Sequence, residues 1–294
     1  MPLQTPDAGI RFRALWRLCF CFIVCLMLSA CRSPQSSSKT ANLPERHELK
    51  LEHLVVRSDF EISKDDPLLA ELSDLRTEVE STLHLPKSSR PVVVHLFSDE
   101  RSYAAYMRSA FPNLPPRRAF FVGSPTELTV YAFWGDNIEE DLRHEYTHGV
   151  LHASLRTVPL WLDEGLAEYF ETTPQGPERI HDQHAQRLAL AVSNGWKPDL
   201  ARLEKLEDVS QMQRADYQEA WAWVHYLLHD APGGRDLLIE YCEQLSKTSS
   251  PSSFAMEIRS FFPDADQRLT SYITFVLKST EGTAYTRGSA SSRL

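Results

Sequence analysis

Two histidines four positions apart, with a glutamate directly after the first, constrain this 294-residue chain more than any other feature. They lie in the segment His144-Glu145-Tyr146-Thr147-His148. On an α-helix, residues i and i+4 project from one face, one turn apart. His144 and His148 can therefore coordinate one metal ion if this segment is helical. Glu145, beside the first ligand, can reach a water on that ion and accept its proton. Zinc suits imidazole and carboxylate donors, and a catalytic site leaves one position open to water. A solvated helix face with incidental histidines would show the same spacing, so the surrounding segments must decide.

Apolar periodicity places the elements around this motif. A strand is predicted over 48–60, carrying Leu54-Val55-Val56, and a helix over 67–83 with Leu68, Leu69, Leu72, Leu75, Val79 and Leu83 on one stripe. Residues 91–97 read as a buried strand, and Asp99 can cap a helix to about 109. Strands at 119–122 and 128–134 flank the turn residues Gly123-Ser124-Pro125-Thr126, which predicts a hairpin. Asn137 can cap a helix to about 155, with Glu139, Glu140 and Asp141 favourable in its first turn. Pro159 suits the start of another helix through 170, and helices follow over 181–192, 217–229, 234–245 and 264–276. Strands first and helices afterwards predict an α+β fold rather than alternating βαβ units.

The decisive context is Leu160-Trp161-Leu162-Asp163-Glu164-Gly165-Leu166-Ala167-Glu168-Tyr169. With the paired histidines, it resembles the gluzincin metallopeptidases, in which a second helix supplies a glutamate as third zinc ligand. More narrowly, it resembles the bacterial peptidase MA-like domains, together with the later segment Tyr217-Gln218-Glu219-Ala220-Trp221-Ala222-Trp223-Val224-His225-Tyr226-Leu227. The resemblance covers residues 92–245. It implies a zincin-like fold with a small N-terminal sheet and a mostly helical C-terminal part. It also implies one Zn2+ ion held by His144, His148 and Glu164. Peptide bonds would be hydrolysed by zinc-activated water, with Glu145 as general base.

Further roles come from the same resemblance. An acid four residues after the third ligand orients the first histidine in some gluzincins, which points to Glu168; an exposed helix acid is the alternative. Asp163 is expected to face solvent. A tyrosine or histidine from a later helix often stabilises the oxyanion, which points to Tyr217, with Tyr226 and His225 behind it and an aromatic core helix as the alternative. The strand at 128–134 is expected to be the edge that pairs with an extended peptide or protein substrate. His152 continues the His144–His148 face. It lies about 12 Å along the axis from His144, too far for one rigid helix to wrap all three around one ion, and is expected to pack. A metzincin pattern would need His at 154 and Gly at 151, where this chain has Ser154 and Leu151.

The first thirty residues read as an address. Arg11, Arg13 and Arg17 precede an apolar run at 18–28, too short for the ~20 residues of a membrane-spanning helix. The run ends in Leu28-Ser29-Ala30-Cys31, which resembles a bacterial lipobox. A lipoprotein signal over 1–30, lipidation of Cys31, a flexible tether over 31–47, a peptidase domain over 48–278 and a disordered tail over 279–294 are expected. The chain would then be exported and lipid-anchored to a membrane of the cell envelope. Four of five cysteines fall within the first 31 residues, so no disulfide framework spans the fold. A net charge of −9, with no long basic run, argues against nucleic-acid binding. A membrane-tethered zinc metallopeptidase is the leading expectation. A non-catalytic envelope lipoprotein that binds through the same scaffold, and a metal hydrolase of another bond, are the alternatives.

Overall fold

The structure is a computed structural model that describes residues 42–173 and 179–274. The expected signal, the lipidated Cys31, most of the tether and the C-terminal tail lie outside the described residues.

Five strands form one mixed sheet in the order β1-β2-β3-β5-β4. They are β1 (His47–Lys50), β2 (Leu54–Ser58), β3 (Val92–Phe97), β4 (Ala119–Gly123) and β5 (Leu128–Phe133). The segment expected as one strand over 48–60 is instead two. β1 and β2 pair antiparallel, His47 opposite Ser58, and the chain reverses between Lys50 and Leu54. β3 is parallel to both β2 and β5, in registers Val56↔Val94 and Val94↔Val130. All six β3 residues are buried, as befits a central strand covered on both faces. β4 returns antiparallel on β5, the expected hairpin.

Helix α1 (Pro67–Thr82) starts where Pro67 follows Asp66, whose carboxylate accepts from the Leu68 amide. It crosses between the parallel strands β2 and β3, so one βαβ unit sits inside the α+β frame. Helix α2 (Glu100–Ala110) is capped by Asp99, as expected. Helices α3 (Ile138–Ser154) and α4 (Leu160–Glu171) follow the sheet. Asn137 precedes α3 without a side-chain capping bond, so the acidic first turn is what complements the helix dipole there.

Then come α5 (Asp182–Ser193), the short α6 (Leu200–Leu203), α7 (Arg214–His229), α8 (Gly234–Lys247) and α9 (Phe254–Phe261). The chain is helical again from 265 to 274, the last described residue. α7 begins three residues before the expected start, because a reciprocal Gln213–Asp216 capping box precedes Tyr217. α6 and α9 are too short to show a periodic stripe in the sequence.

Alternation on the strands sorts two cores. Val92, Val94 and Leu96 of β3 and Leu128, Val130 and Ala132 of β5 join α1, α3 and the later helices in the main core. Phe97 and Tyr131 join Tyr103 and Met107 of α2 in a smaller aromatic one. α3 is pressed onto the sheet at Gly149, where an added Cβ would stand 2.7 Å from both Val92 methyl groups. α4 is pressed onto α7 at Gly165, where a Cβ would stand 2.7 Å from the Ala220 carbonyl oxygen. Among the described residues, no helix is long and apolar enough to cross a membrane.

Candidate metal centre

α3 carries His144, Glu145 and His148, and α4 carries Glu164. A buried arginine holds the two helices in register. Arg143 Nε donates to the Phe170 and Glu171 carbonyls at 2.9 and 3.1 Å, where α4 ends and its last carbonyls lack helical partners. Its guanidinium also pairs with Glu71 of α1 at 3.1 Å.

The two imidazoles converge on one carboxylate oxygen. His144 Nε2 lies 3.6 Å from Glu164 Oε2, and His148 Nε2 lies 3.7 Å from the same atom. Their other nitrogens are taken. His144 Nδ1 bonds Glu171 Oε2 at 2.9 Å, and His148 Nδ1 bonds Asp163 Oδ1 at 2.7 Å. An ionised carboxylate only accepts, so both Nδ1 atoms carry the proton, and a neutral ring then presents its Nε2 lone pair. Asp163 also bonds His152 Nε2 at 2.8 Å, which ties His152 to the ring of His148 and keeps it out of the cluster.

The donors fit a divalent ion. Glu164 is buried, and among the described residues its Oε2 has no hydrogen-bond partner. A buried carboxylate oxygen facing two imidazole nitrogens is costly unless something positive satisfies it. Tetrahedral zinc with bonds of about 2.0–2.1 Å sets its donors roughly 3.3 Å apart, close to the separations found. Without the ion, the protein's own protons balance this charge. Burial alone would lower the His148 pKa, yet the Asp163 and Glu164 carboxylates push it up to about 9. Burial works the same way on His144, and the Glu164 and Glu171 carboxylates raise it well above its usual value. Asp163 is held below the usual carboxylate range, the His148 and His152 charges outweighing its burial.

Glu145 is buried beside the cluster, and its Oε2 accepts the Phe121 amide of β4 at 2.6 Å. β4 lies at the edge of the sheet, with β5 inside it, so the expectation that 128–134 forms the free edge is corrected: β5 is flanked by β3 and β4. The hairpin turns back along the outside of the sheet, which the strand's sequence cannot reveal. Phe121 also stacks on His148, ring centroids 5.9 Å apart.

Tyr217 is half-buried on α7, and its hydroxyl oxygen accepts from Arg117 Nη2 at 2.9 Å, leaving its own proton free to donate. Burial and the Glu164 charge raise its pKa, so it stays a neutral phenol. Tyr226 and His225 belong to a different neighbourhood, packed against Tyr272, with His225 Nδ1 bonded to the Tyr272 hydroxyl at 2.7 Å.

Two supporting roles differ from expectation. The bond to His144 comes from Glu171, while Glu168 pairs with His184 Nε2 at 2.6 Å. Asp163, expected to face solvent, is the partner of His148. Glu171 continues the Glu164–Glu168 helical face, a signal present in the sequence; Arg117 and Phe121 left none.

Residues 140–252 match the family model described as "Protein of unknown function (DUF1570)". That span holds His144, Glu145, His148, Glu164 and Tyr217 and none of the five strands. No curated protein matches the chain.

Proposed function

We propose that this protein is a zinc-dependent metallopeptidase of gluzincin type, tethered to a membrane of the bacterial cell envelope. The observation that carries it is the convergence of His144 Nε2 and His148 Nε2 on the partnerless Glu164 Oε2. Glu145 beside them supplies the base that a binding scaffold would not need. His144, His148 and Glu164 would hold the ion. Once bound, zinc supplies Lewis acidity that polarises a carbonyl and lowers the pKa of water.

The remaining work falls to side chains. Glu145 takes a proton from the attacking water and passes it to the leaving amine. Its Oε2 rests on the Phe121 amide, which leaves Oε1 as the more available base. The Tyr217 hydroxyl, turned by Arg117, is the donor for the developing oxyanion. The β4 edge, with Phe121 beside the cluster, suits an extended peptide laid antiparallel to it. The basic residues, short apolar run and Leu28-Ser29-Ala30-Cys31 support the export and anchoring in this reading. A diacyl anchor holds stably without a basic patch.

Digestion of a broad peptide library, with and without chelator, tests the activity. The wild type is expected to cleave only with zinc present, and Glu145→Gln to keep the metal and lose most of the rate. Equal rates in both proteins refute the base, and no cleavage by the wild type favours the binding-scaffold reading. Intact mass of the membrane-fraction protein tests the anchor, since a mature N-terminus other than an acylated Cys31 refutes it.

A further inference from the structure

We propose that Arg117 is a specificity-determining residue, which receives a carboxylate of the substrate on the C-terminal side of the scissile bond. The proposal rests on the peptidase reading above and names the class of peptide that the site selects.

Two adjacent arginines precede β4 and are treated differently by the fold. Arg118 is matched by acids, its Nη2 lying 3.0 Å from Glu140 and 2.7 Å from Asp141. Among the described residues, Arg117 pairs with no carboxylate. Its hydrogen bond goes to the Tyr217 hydroxyl, a neutral partner, through Nη2 at 2.9 Å. The rest of its fork of N–H donors meets no acceptor among the described residues. Orienting a phenol needs one donor and no charge, so the Tyr217 contact leaves the full positive charge and the paired geometry of the guanidinium unexplained. An arginine fork matches a carboxylate through two parallel hydrogen bonds.

The guanidinium is also held in place. Its carbon lies 5.6 Å from the centre of the Phe120 ring and 5.9 Å from that of Tyr217, so an aromatic ring on β4 and another on α7 both fix it. Burial opposes its charge, while the Tyr217 bond and the Glu164 and Glu145 carboxylates raise its pKa, which keeps a cation beside the metal centre.

Strand direction says which part of a peptide meets it. Phe121 marks the level of the chemistry, because its amide bonds Glu145 and its ring stacks on His148. A peptide laid antiparallel to β4 runs, past the scissile bond, from Phe121 back toward Ala119 and Arg117. Ala119 lies about 7 Å from Phe121 along the strand, two residues at the usual rise. The Arg117 side chain folds back to Phe120, so its guanidinium meets the peptide about one or two residues after the cut. A carboxylate at that point comes from one of two sources. A free C-terminus there makes the protein a carboxypeptidase that releases one or two residues. An Asp or Glu side chain there makes it an endopeptidase that cuts just before an acidic residue.

Peptide retention separates these sources without needing turnover. Full-length Glu145→Gln protein is loaded with zinc, immobilised and exposed to three pools of short random peptides. One pool has free C-termini and lacks Asp and Glu, one is amidated and contains them, and one is amidated and lacks them. The first or second pool is expected to be retained about tenfold better than the third, near the lower end of what a charge-assisted hydrogen bond gives, since Arg117 is exposed. Arg117→Gln in the same background should remove that preference with unchanged circular dichroism, and Arg117→Lys, which keeps the charge without the fork, should keep part of it. Preference for the first pool identifies the C-terminal carboxylate, and preference for the second identifies the acidic side chain. Equal retention of the three pools, retention of none, or a preference that survives Arg117→Gln overturns the proposal. Cleavage by the protein with Glu145 intact is read separately. A preference lost in Arg117→Gln, with no cleavage of any pool, upholds the Arg117 site and sinks the peptidase reading; cleavage without any preference does the reverse.

Discussion

Asp163 and Glu164 are neighbours in the chain, yet they serve opposite sides of one imidazole. Glu164 faces His148 Nε2, while Asp163 bonds Nδ1 at 2.7 Å and so decides which nitrogen carries the proton. Removing that decision without changing shape isolates it. Asp163→Asn should weaken zinc binding by about 10–100-fold, the usual cost of losing an outer partner of a ligand histidine, as competition with a calibrated chelator would show. The variant should remain folded. At Tyr217 the effect belongs to the rate. Tyr217→Phe deletes the free hydroxyl proton and should lower kcat on the order of 10²–10³-fold with zinc content unchanged, the loss typical of one oxyanion donor. An unchanged kcat in single-turnover assays would remove the tyrosine from the mechanism.

Between elements, the decisive contacts are made by residues without chemistry of their own. Gly165 follows Glu164 directly and sits where α4 meets α7, 2.7 Å of virtual Cβ from the Ala220 carbonyl oxygen and 3.0 Å from a Val224 methyl. Alanine would gain up to about 1 kcal/mol of helix propensity. It would also force α4 off α7, at an overpacking cost of about 1–3 kcal/mol. The clash is with backbone, which cannot rotate away, so Gly165→Ala should be net destabilising, by roughly 1–2 kcal/mol in chemical denaturation. Because α4 carries Glu164 and α7 carries Tyr217, the same substitution should lower zinc affinity, unlike a surface Gly→Ala change. A variant as stable as wild type, with full affinity, would show that the helices are not held at this point.

For the whole molecule, the sheet sets a pH limit that is independent of the metal cluster. His95 lies on the central strand, 2% exposed and stacked on Tyr131 with ring centroids 5.4 Å apart. Burial, helped by the Arg57 charge, pushes its pKa down to about 4. An unfolded chain binds that proton near pH 6.5, so between these values the unfolded state holds more protons. The stability that His95 contributes is complete above pH 6.5, falls as pH drops, and is lost near pH 4. The span is worth at most about 3 kcal/mol, from 1.36 kcal/mol per pKa unit. Denaturant midpoints of wild type and His95→Leu, compared at pH 7 and pH 4.5, should show a smaller acid loss in the variant. Equal losses would mean that the buried imidazole is not the group responsible.

Much of this could be read along the chain, because it depends on local rules. Apolar spacing marks α1, an acidic first turn marks α3, Pro159 marks the start of α4, turn residues mark the β4–β5 hairpin, and Asp99 caps α2, since each depends on residues within a few positions. The i, i+4 spacing alone puts His144 and His148 on one helical face, and the Glu164-Gly165 segment supplied a candidate third donor by resemblance. Other features needed the chain to be folded. The reversal between Lys50 and Leu54, the position of β5 inside the sheet and the place of β4 at its edge depend on strand pairing over tens of residues. The exchange of roles between Glu168 and Glu171 was decided by where the start of α5 places His181 and His184 against α4. Arg117 is separated from Tyr217 by 100 positions and reaches it only because α7 packs against α4. Periodicity shows which face of a helix is apolar. The partner that each polar group finds is decided by helix and strand packing, which fixes where Asp163, Glu171 and Phe121 stand around the two histidines.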